Sequence, residues 1–229
     1  MECAARTVLD NTRISSCPDG SEPTNARNVA GMFVKICGIR EPGHLSACIS
    51  ASADAVGFLM SPSPRQVTIA QAARLTQAAA DQILTVAVFA DEPIDYVREV
   101  IRDTNVRAVQ LHGTYEPEDF AALKDTDVTL IRAVAGSDAR DLVSGSYGDD
   151  MLIVDSRTPG AGRPWDVSAL PAAPSGRWLL AGGLSPSTVT EAVASARPWG
   201  VDVSSGVESS RGIKDSGLIS QFCRLARAA

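Results

Sequence analysis

The sequence predicts a single-domain α/β protein, a (β/α)8 barrel. Three observations carry that prediction. From Met32 onward, short apolar runs of strand length alternate with stretches of helical period, as in repeated βα units around a parallel sheet. The alternation reaches eight of each kind, and no G-x-G-x-x-G follows the first strand, which argues against the alternative of an open doubly wound sheet. The first strand, Phe33-Val34-Lys35-Ile36-Cys37, places Lys35 and Cys37 on one face and Val34 and Ile36 on the other. Polar groups on the inner face and aliphatics on the outer one fit a barrel wall with helices packed outside.

Taken in order, residues 1–31 are rich in Ser, Asn, Asp, Pro and Thr with no sustained period. They are expected to form a disordered extension ahead of a barrel domain spanning 32–229, with Met32 an alternative start. No apolar core follows Met1-Glu2-Cys3-Ala4-Ala5-Arg6, so no secretory signal is expected. Strands are predicted at 33–37, 55–59, 84–89, 108–111, 129–133, 152–154, 178–181 and 200–203, each a β-branched or aliphatic run. Helices are predicted at 41–51, 69–80, 93–104, 117–124, 138–144, 166–170, 186–196 and 215–228. First-turn prolines or cap residues mark several starts: Glu41-Pro42, Glu92-Pro93, Ser185-Pro186 and Asp215.

The totals narrow the function. A net charge of -6 over 229 residues disfavours a general nucleic-acid or anionic-membrane surface, while leaving room for a locally positive site. No apolar run reaches the roughly 18 residues of a membrane span. The five cysteines are odd in number and lack C-x-x-C spacing, which points to a reducing cytoplasm rather than a disulfide framework. With two histidines, His44 and His112, no metal centre is expected. His44 falls on a helix face and reads as a surface residue.

Barrels of this kind carry their active sites at the C-terminal ends of the strands. That rule selects Cys37, the loop Ser61-Pro62-Ser63-Pro64-Arg65, Gln110 and His112, Asp155, Gly182-Gly183 and Ser204-Ser205-Gly206. Cys37 is either a reactive thiol at the mouth of the core or a buried structural one. The small-residue loops after strands 7 and 8 suit a phosphate, because their amides allow close approach of its oxygens; two ordinary turns are the alternative. Asp155 reads as a general acid/base or a helix N-cap. Arg65, on a proline-stiffened loop, suits a carboxylate or phosphate, or is a solvated surface residue. His112 is catalytic or satisfied by a backbone carbonyl. Asp202 is expected to point into the barrel and hydrogen-bond amides of the phosphate loop.

Taken together, VKICGIR (34–40), VGF (56–58) with SPR (63–65), VAVF (86–89), VQLHG (109–113), LIVDS (152–156), LAGGLSPSTV (180–189), GVDVSSGVE (200–208) and GIKD (212–215) resemble the phosphoribosylanthranilate isomerases of tryptophan biosynthesis. The resemblance covers Met32 to the C-terminus. It implies an Amadori rearrangement of N-(5'-phosphoribosyl)anthranilate to 1-(2-carboxyphenylamino)-1-deoxyribulose 5-phosphate, with Asp155 the general acid and Cys37 the general base. Lys35 would help stabilise the thiolate. Burial would raise the Asp155 pKa so that it holds its proton. It further implies Arg65 on the anthranilate carboxylate, Gly182, Gly183, Ser204, Ser205 and Gly206 on the phosphate, and Gln110, His112 and Asp202 at the substrate. No cofactor is implied, the partner is a small phosphorylated molecule, and a monomer is expected.

Two stretches depart from the family pattern. Where a Gly-Gly-Thr/Ser-Gly-Lys-x-Phe-Asp-Trp stretch is usual, the chain has Gly160-Ala161-Gly162-Arg163-Pro164-Trp165-Asp166-Val167. Ala90-Asp91 stands where Val-Asn is frequent. These departures leave open a relative acting on another phosphoribosylamine, or a barrel that binds a phosphorylated metabolite without turning it over.

Overall fold

The computed structural model describes residues 31–136, 141–155, 170 and 172–229. Eight parallel strands close into a barrel in sequence order: β1 (Phe33–Cys37), β2 (Ala55–Leu59), β3 (Leu84–Ala90), β4 (Ala108–His112), β5 (Thr129–Ala135), β6 (Met151–Asp155), β7 (Trp178–Ala181) and β8 (Gly200–Val203). Strand β1 pairs with both β2 and β8, with Lys35 opposite Ala55 on one side and Asp202 on the other. That last pairing seals the ring and excludes the open sheet.

The alternation read from β1 holds all round the wall. Its inner face gathers Cys37, Ala55, Val86, Val88, Ala108, Ile131, Ala133, Met151, Ile153, Leu179 and Ala181 into one apolar cluster. The outer face carries Val34, Ile36, Val56, Phe58, Ala87, Phe89, Val109, Leu111, Leu152, Val154, Leu180 and Val201 into a larger core shared with the helices. Each buried Val, Leu, Ile or Phe on either face contributes about 1.5–3 kcal/mol relative to exposure.

The described helices are α1 (Pro42–Ser50), α2 (Ile69–Ala79), α3 (Ile94–Thr104), α4 (Pro117–Ala121), α5 (Val189–Ala196) and α6 (Ser216–Ala228). Their starts follow local chemistry. Pro42 and Pro117 occupy the first turns of α1 and α4, where a missing N–H costs nothing. Thr68 and Gln71 form a reciprocal capping box at α2, and Asp215 accepts from the Leu218 amide at α6.

Three helix expectations change. The predicted helix at 138–144 is not helical in its described part, 141–144, which instead forms turns and a bridge between Val143 and Ser175. The seventh helix starts at Val189 rather than 186, because the Ser185 amide donates to the Thr188 hydroxyl and closes a tight turn first. The fourth stops at Ala121 and passes into a 3-10 turn, Lys124–Thr126. The predicted helix at 166–170 and the atypical loop at 160–165 lie outside the described residues. Beyond β8 the chain adds a 3-10 turn, Ser205–Val207, and a hairpin of β9 (Glu208–Ser210) and β10 (Ile213–Lys214) that the sequence reading did not anticipate.

Candidate active site

Lys35, Cys37, Gln110, His112, Asp155 and Asp202 occupy inward positions on β1, β4, β6 and β8. Cys37, His112 and Asp155 are each the last residue of their strand, so they stand at the rim of the C-terminal mouth. Gln110 lies one inward position deeper, buried, and its Oε1 has no hydrogen-bond partner among the described residues.

At the bottom of this group Lys35 is completely buried, and its Nζ lies 2.9 Å from Asp202 Oδ1. Burial works against the ammonium, but the Asp202 carboxylate and the Cys37 thiol leave the Lys35 pKa raised. Asp202 therefore spends its carboxylate on Lys35 rather than on the amides of the loop after β8, as the sequence had suggested.

Cys37 is 7 % exposed. Burial pushes its thiol up; Lys35 and Lys214 pull it down and Asp202 opposes them. The net result is a raised pKa, so the thiol is protonated at neutral pH despite Lys35. Gly57 makes room for it, because a Cβ there would sit 2.9 Å from the sulfur. Across the mouth, burial and the charge of Asp202 raise the Asp155 pKa, while His112 works against them. The rim thus holds a protonatable carboxyl and a thiol, neither in an ion pair with another described residue.

Arg65 is brought to the same mouth by the loop after β2. Its Nε and Nη2 donate to the two oxygens of Glu208, at 2.6 and 2.8 Å. Buried Lys214 donates to Glu208 Oε1 at 2.9 Å and to the Ser204 carbonyl at 2.8 Å. The Ser204 hydroxyl in turn donates to the Cys37 carbonyl at 3.2 Å. Gly38, with φ of +83°, lies at the centre of this group: a Cβ on it would meet Arg65 Cδ at 2.7 Å.

The loops after β7 and β8 touch one another. Gly182 and Gly183 take positive φ, and Gly206 packs so closely on the Leu184 carbonyl that a Cβ would lie 1.8 Å from its oxygen. Gly183 and Ser205 face solvent, and Gly206 is half-buried. His112 is half-buried, and its backbone carbonyl accepts from the Asp91 amide. Among the described residues no group of three or more His, Cys, Asp or Glu side chains is placed to hold a metal ion.

The structure adds Gly57, Glu208 and Lys214 to the group expected from the sequence. Glu208 ends the GVDVSSGVE stretch and Lys214 lies within GIKD, where both were visible, but no spacing rule linked them to Arg65, 143 residues away from Glu208 in the chain.

A family model described as N-(5'-phosphoribosyl)anthranilate (PRA) isomerase matches residues 34–224. The N-(5'-phosphoribosyl)anthranilate isomerase of Afipia carboxidovorans is 39% identical over 211 residues, covering 86% of this chain and 90% of that protein. The crystal structure of TrpF from Jonesia denitrificans superposes with a TM-score of 0.81 at 41% identity, covering 86% of this chain and 97% of that one. A phosphoribosylanthranilate isomerase in complex with reduced 1-(o-carboxyphenylamino)-1-deoxyribulose 5-phosphate superposes with a TM-score of 0.73 at 30% identity, covering 86% and 100%. With the matched stretch running from the first strand into the last helix, the chain belongs to the N-(5'-phosphoribosyl)anthranilate isomerase family.

Proposed function

We propose that this enzyme isomerises N-(5'-phosphoribosyl)anthranilate to 1-(2-carboxyphenylamino)-1-deoxyribulose 5-phosphate, with Asp155 as general acid and Cys37 as general base. The observation that carries the assignment is the placement of these two side chains at the last inward positions of β6 and β1, facing one mouth, with the carboxyl pKa raised by burial. Asp155 gives its proton to the furanose ring oxygen as the C1–O bond breaks and the anthranilate nitrogen donates its lone pair to form an iminium ion. Cys37 takes the proton from C2; the C2–H electrons form the C1–C2 double bond and return the iminium electrons to nitrogen. The enolamine that results tautomerises to the aminoketose. The substrate's own nitrogen is the electron sink.

The remaining residues bind and orient. Arg65 takes the anthranilate carboxylate on the edge of its guanidinium that Glu208 leaves free. The loops carrying Gly182, Gly183, Ser204, Ser205 and Gly206 take the phosphate; the contact of Gly206 with Leu184 holds both loops in one cradle. Gln110, His112 and Asp202 complete the wall around the ribose carbons, with Asp202 acting through Lys35. Residues 1–31 precede the barrel domain at 32–229 and are not needed for this chemistry.

The test is a fluorescence assay on freshly generated phosphoribosylanthranilate, with wild type beside Asp155→Asn. Consumption by wild type and loss of at least about 100-fold in the variant is expected. A folded wild type with no turnover overturns the reading.

A further inference from the structure

We infer that Glu208 is a positioning residue that fixes substrate specificity through Arg65: it holds the guanidinium so that one edge faces the mouth, aimed at a carboxylate. The inference rests on the assignment of Arg65 to the anthranilate carboxylate, and deepens it.

The hairpin after β8 supplies the geometry. Glu208 opens β9, and Lys214, its partner in register, lies in β10. Glu208 Oε2 also accepts from the Gly212 amide at 3.0 Å, inside the turn that joins the two strands. One carboxylate therefore organises the turn, the buried ammonium and the arginine. Its donors are Arg65 Nε and Nη2, Lys214 Nζ and the Gly212 amide. Burial would raise its pKa, yet these donors bring it down to about 2, so it is ionised at neutral pH.

Exposure shows which group is presented outward. The side chain of Lys214 is 0% exposed, that of Glu208 4% and that of Arg65 19%. Nε and Nη2 are committed to Glu208, and Nη1 donates to no described residue. Two cations and one carboxylate leave a net single positive charge, and its accessible end is Arg65. A lone flexible arginine would lose rotamer entropy on binding; a bidentate clamp removes that cost in advance. The aliphatic stem is fixed from the other side by Gly38, against which Arg65 Cδ packs without room for a Cβ. The device selects a planar anion on the aromatic amine rather than merely tightening the phosphate.

The test measures affinity of the full-length enzyme for two ligands, reduced 1-(o-carboxyphenylamino)-1-deoxyribulose 5-phosphate and its phenylamino counterpart without the carboxylate. Wild type is expected to prefer the first by about tenfold or more, the range of a charge-assisted hydrogen bond. Glu208→Gln turns one acceptor into a donor that opposes Arg65 and Lys214. It is expected to lose most of that preference, while affinity for the phenylamino ligand changes less than about threefold. Adding Glu208→Gln to Arg65→Ala should then change nothing further in the preference. Should Glu208→Gln not fold, Glu208→Asp keeps the charge and shortens the reach, and the same ratio is read. Equal weakening of both ligands, or an unchanged preference, overturns the inference. A wild type without preference overturns the Arg65 assignment itself, and with it the inference, before any Glu208 variant is made.

Discussion

Lys35 and Arg132 are both buried cations paired with aspartates, yet they lie on opposite faces of the same barrel wall. Lys35 points inward on β1, with Asp202 as its partner and the Cys37 thiol beside it. Arg132 sits on β5 in register with Leu111 and Leu152, both outer-face residues, so it points away from the mouth. Its guanidinium meets Asp149 at 3.3 Å, donates to the carbonyls of Asp141 and Val143 and to the Ser146 hydroxyl, and lies 4.3 Å over the Tyr147 ring. Asp149 in turn accepts from the amides of Gly145 and Tyr147. Every polar atom of that assembly is spent on residues 141–149, fastening a non-helical segment to the outside of the barrel. Among the described residues the inner assembly leaves the Asp155 carboxyl and one edge of Arg65 outside any ion pair, and it sets the Cys37 thiol beside Lys35. Buried charge alone does not mark a site; the distinction lies in which face of the wall the polar groups occupy.

The largest expected effect separates Cys37 and Asp155 from everything else. Cys37→Ala and Asp155→Asn should each lower turnover by about 100- to 10,000-fold, with thermal stability close to wild type. The pH profile sharpens this. Catalysis needs Cys37 ionised, which is favoured as pH rises, and Asp155 protonated, which is favoured as pH falls. Burial raises both pKa values. A carboxyl is ordinarily the stronger acid of the two, and between the two pKa values the requirements cancel, so wild-type kcat/KM should be flat there. It falls below the carboxyl pKa, where the thiolate becomes scarcer, and above the thiol pKa, where the protonated acid does. In Asp155→Asn only the thiolate requirement survives, and residual activity should climb about tenfold per pH unit through the same range. A flat residual profile would remove Cys37 from the base role.

The next effect compares the two ion pairs directly. Lys35→Met leaves Asp202 buried without its cation, and Arg132→Met does the same to Asp149; each should cost about 3–5 kcal/mol in chemical denaturation. Their activities should part. The folded fraction of Arg132→Met should keep its kcat, because Arg132 lies in the outer register of β5, opposite to the face that carries Cys37 and Asp155. Lys35→Met removes the nearest positive charge from Cys37, so its thiol pKa rises and kcat/KM at neutral pH falls. Equal kcat losses in the two variants would mean that the outer assembly also shapes the mouth.

The same contrast explains what the sequence could reveal. All eight strands were legible because their period of two is imposed by burial on both faces, and one face of β1 betrayed the inside by its Lys35 and Cys37. The mouth residues followed from strand ends alone. Arg132 was equally visible, a single charge in the outer register of Thr129-Leu130-Ile131-Arg132, but its partners are carbonyls and a carboxylate supplied by a later irregular segment, which has no period to read. The predicted helix at 138–144 fails in its described part, 141–144, for the same cause: the buried guanidinium takes the carbonyls of Asp141 and Val143, which a helix would have consumed internally. Glu208 and Lys214 escaped because a hairpin of three and two residues is below the length at which alternation is informative.

The smallest effect concerns the carboxylate at the rim of β3, Asp91. Asp91 Oδ1 accepts from the Thr114 amide at 2.7 Å and from its hydroxyl at 2.9 Å, tying the loops after β3 and β4 together, and Gly113 leaves the space that Asp91 fills. The backbone and side-chain donors of Thr114 lower the Asp91 pKa, with His112 adding to them. The sign follows from linkage: the charged clasp stabilises the fold above the unfolded carboxyl pKa of about 3.9 and loses that contribution as pH falls through the lower folded value. Asp91 is exposed, so solvent screens most of the effect. The Asp91→Asn variant keeps an oxygen for both Thr114 donors and gives up only the charge. Its stability should lie within about 0.5 kcal/mol of wild type at pH 7, and the difference should vanish in acid below both carboxyl values. Turnover should be unchanged within about twofold, because a clasp between two loops touches no substrate; a larger change in kcat would place Asp91 with the groups of the mouth rather than with the fastenings around it.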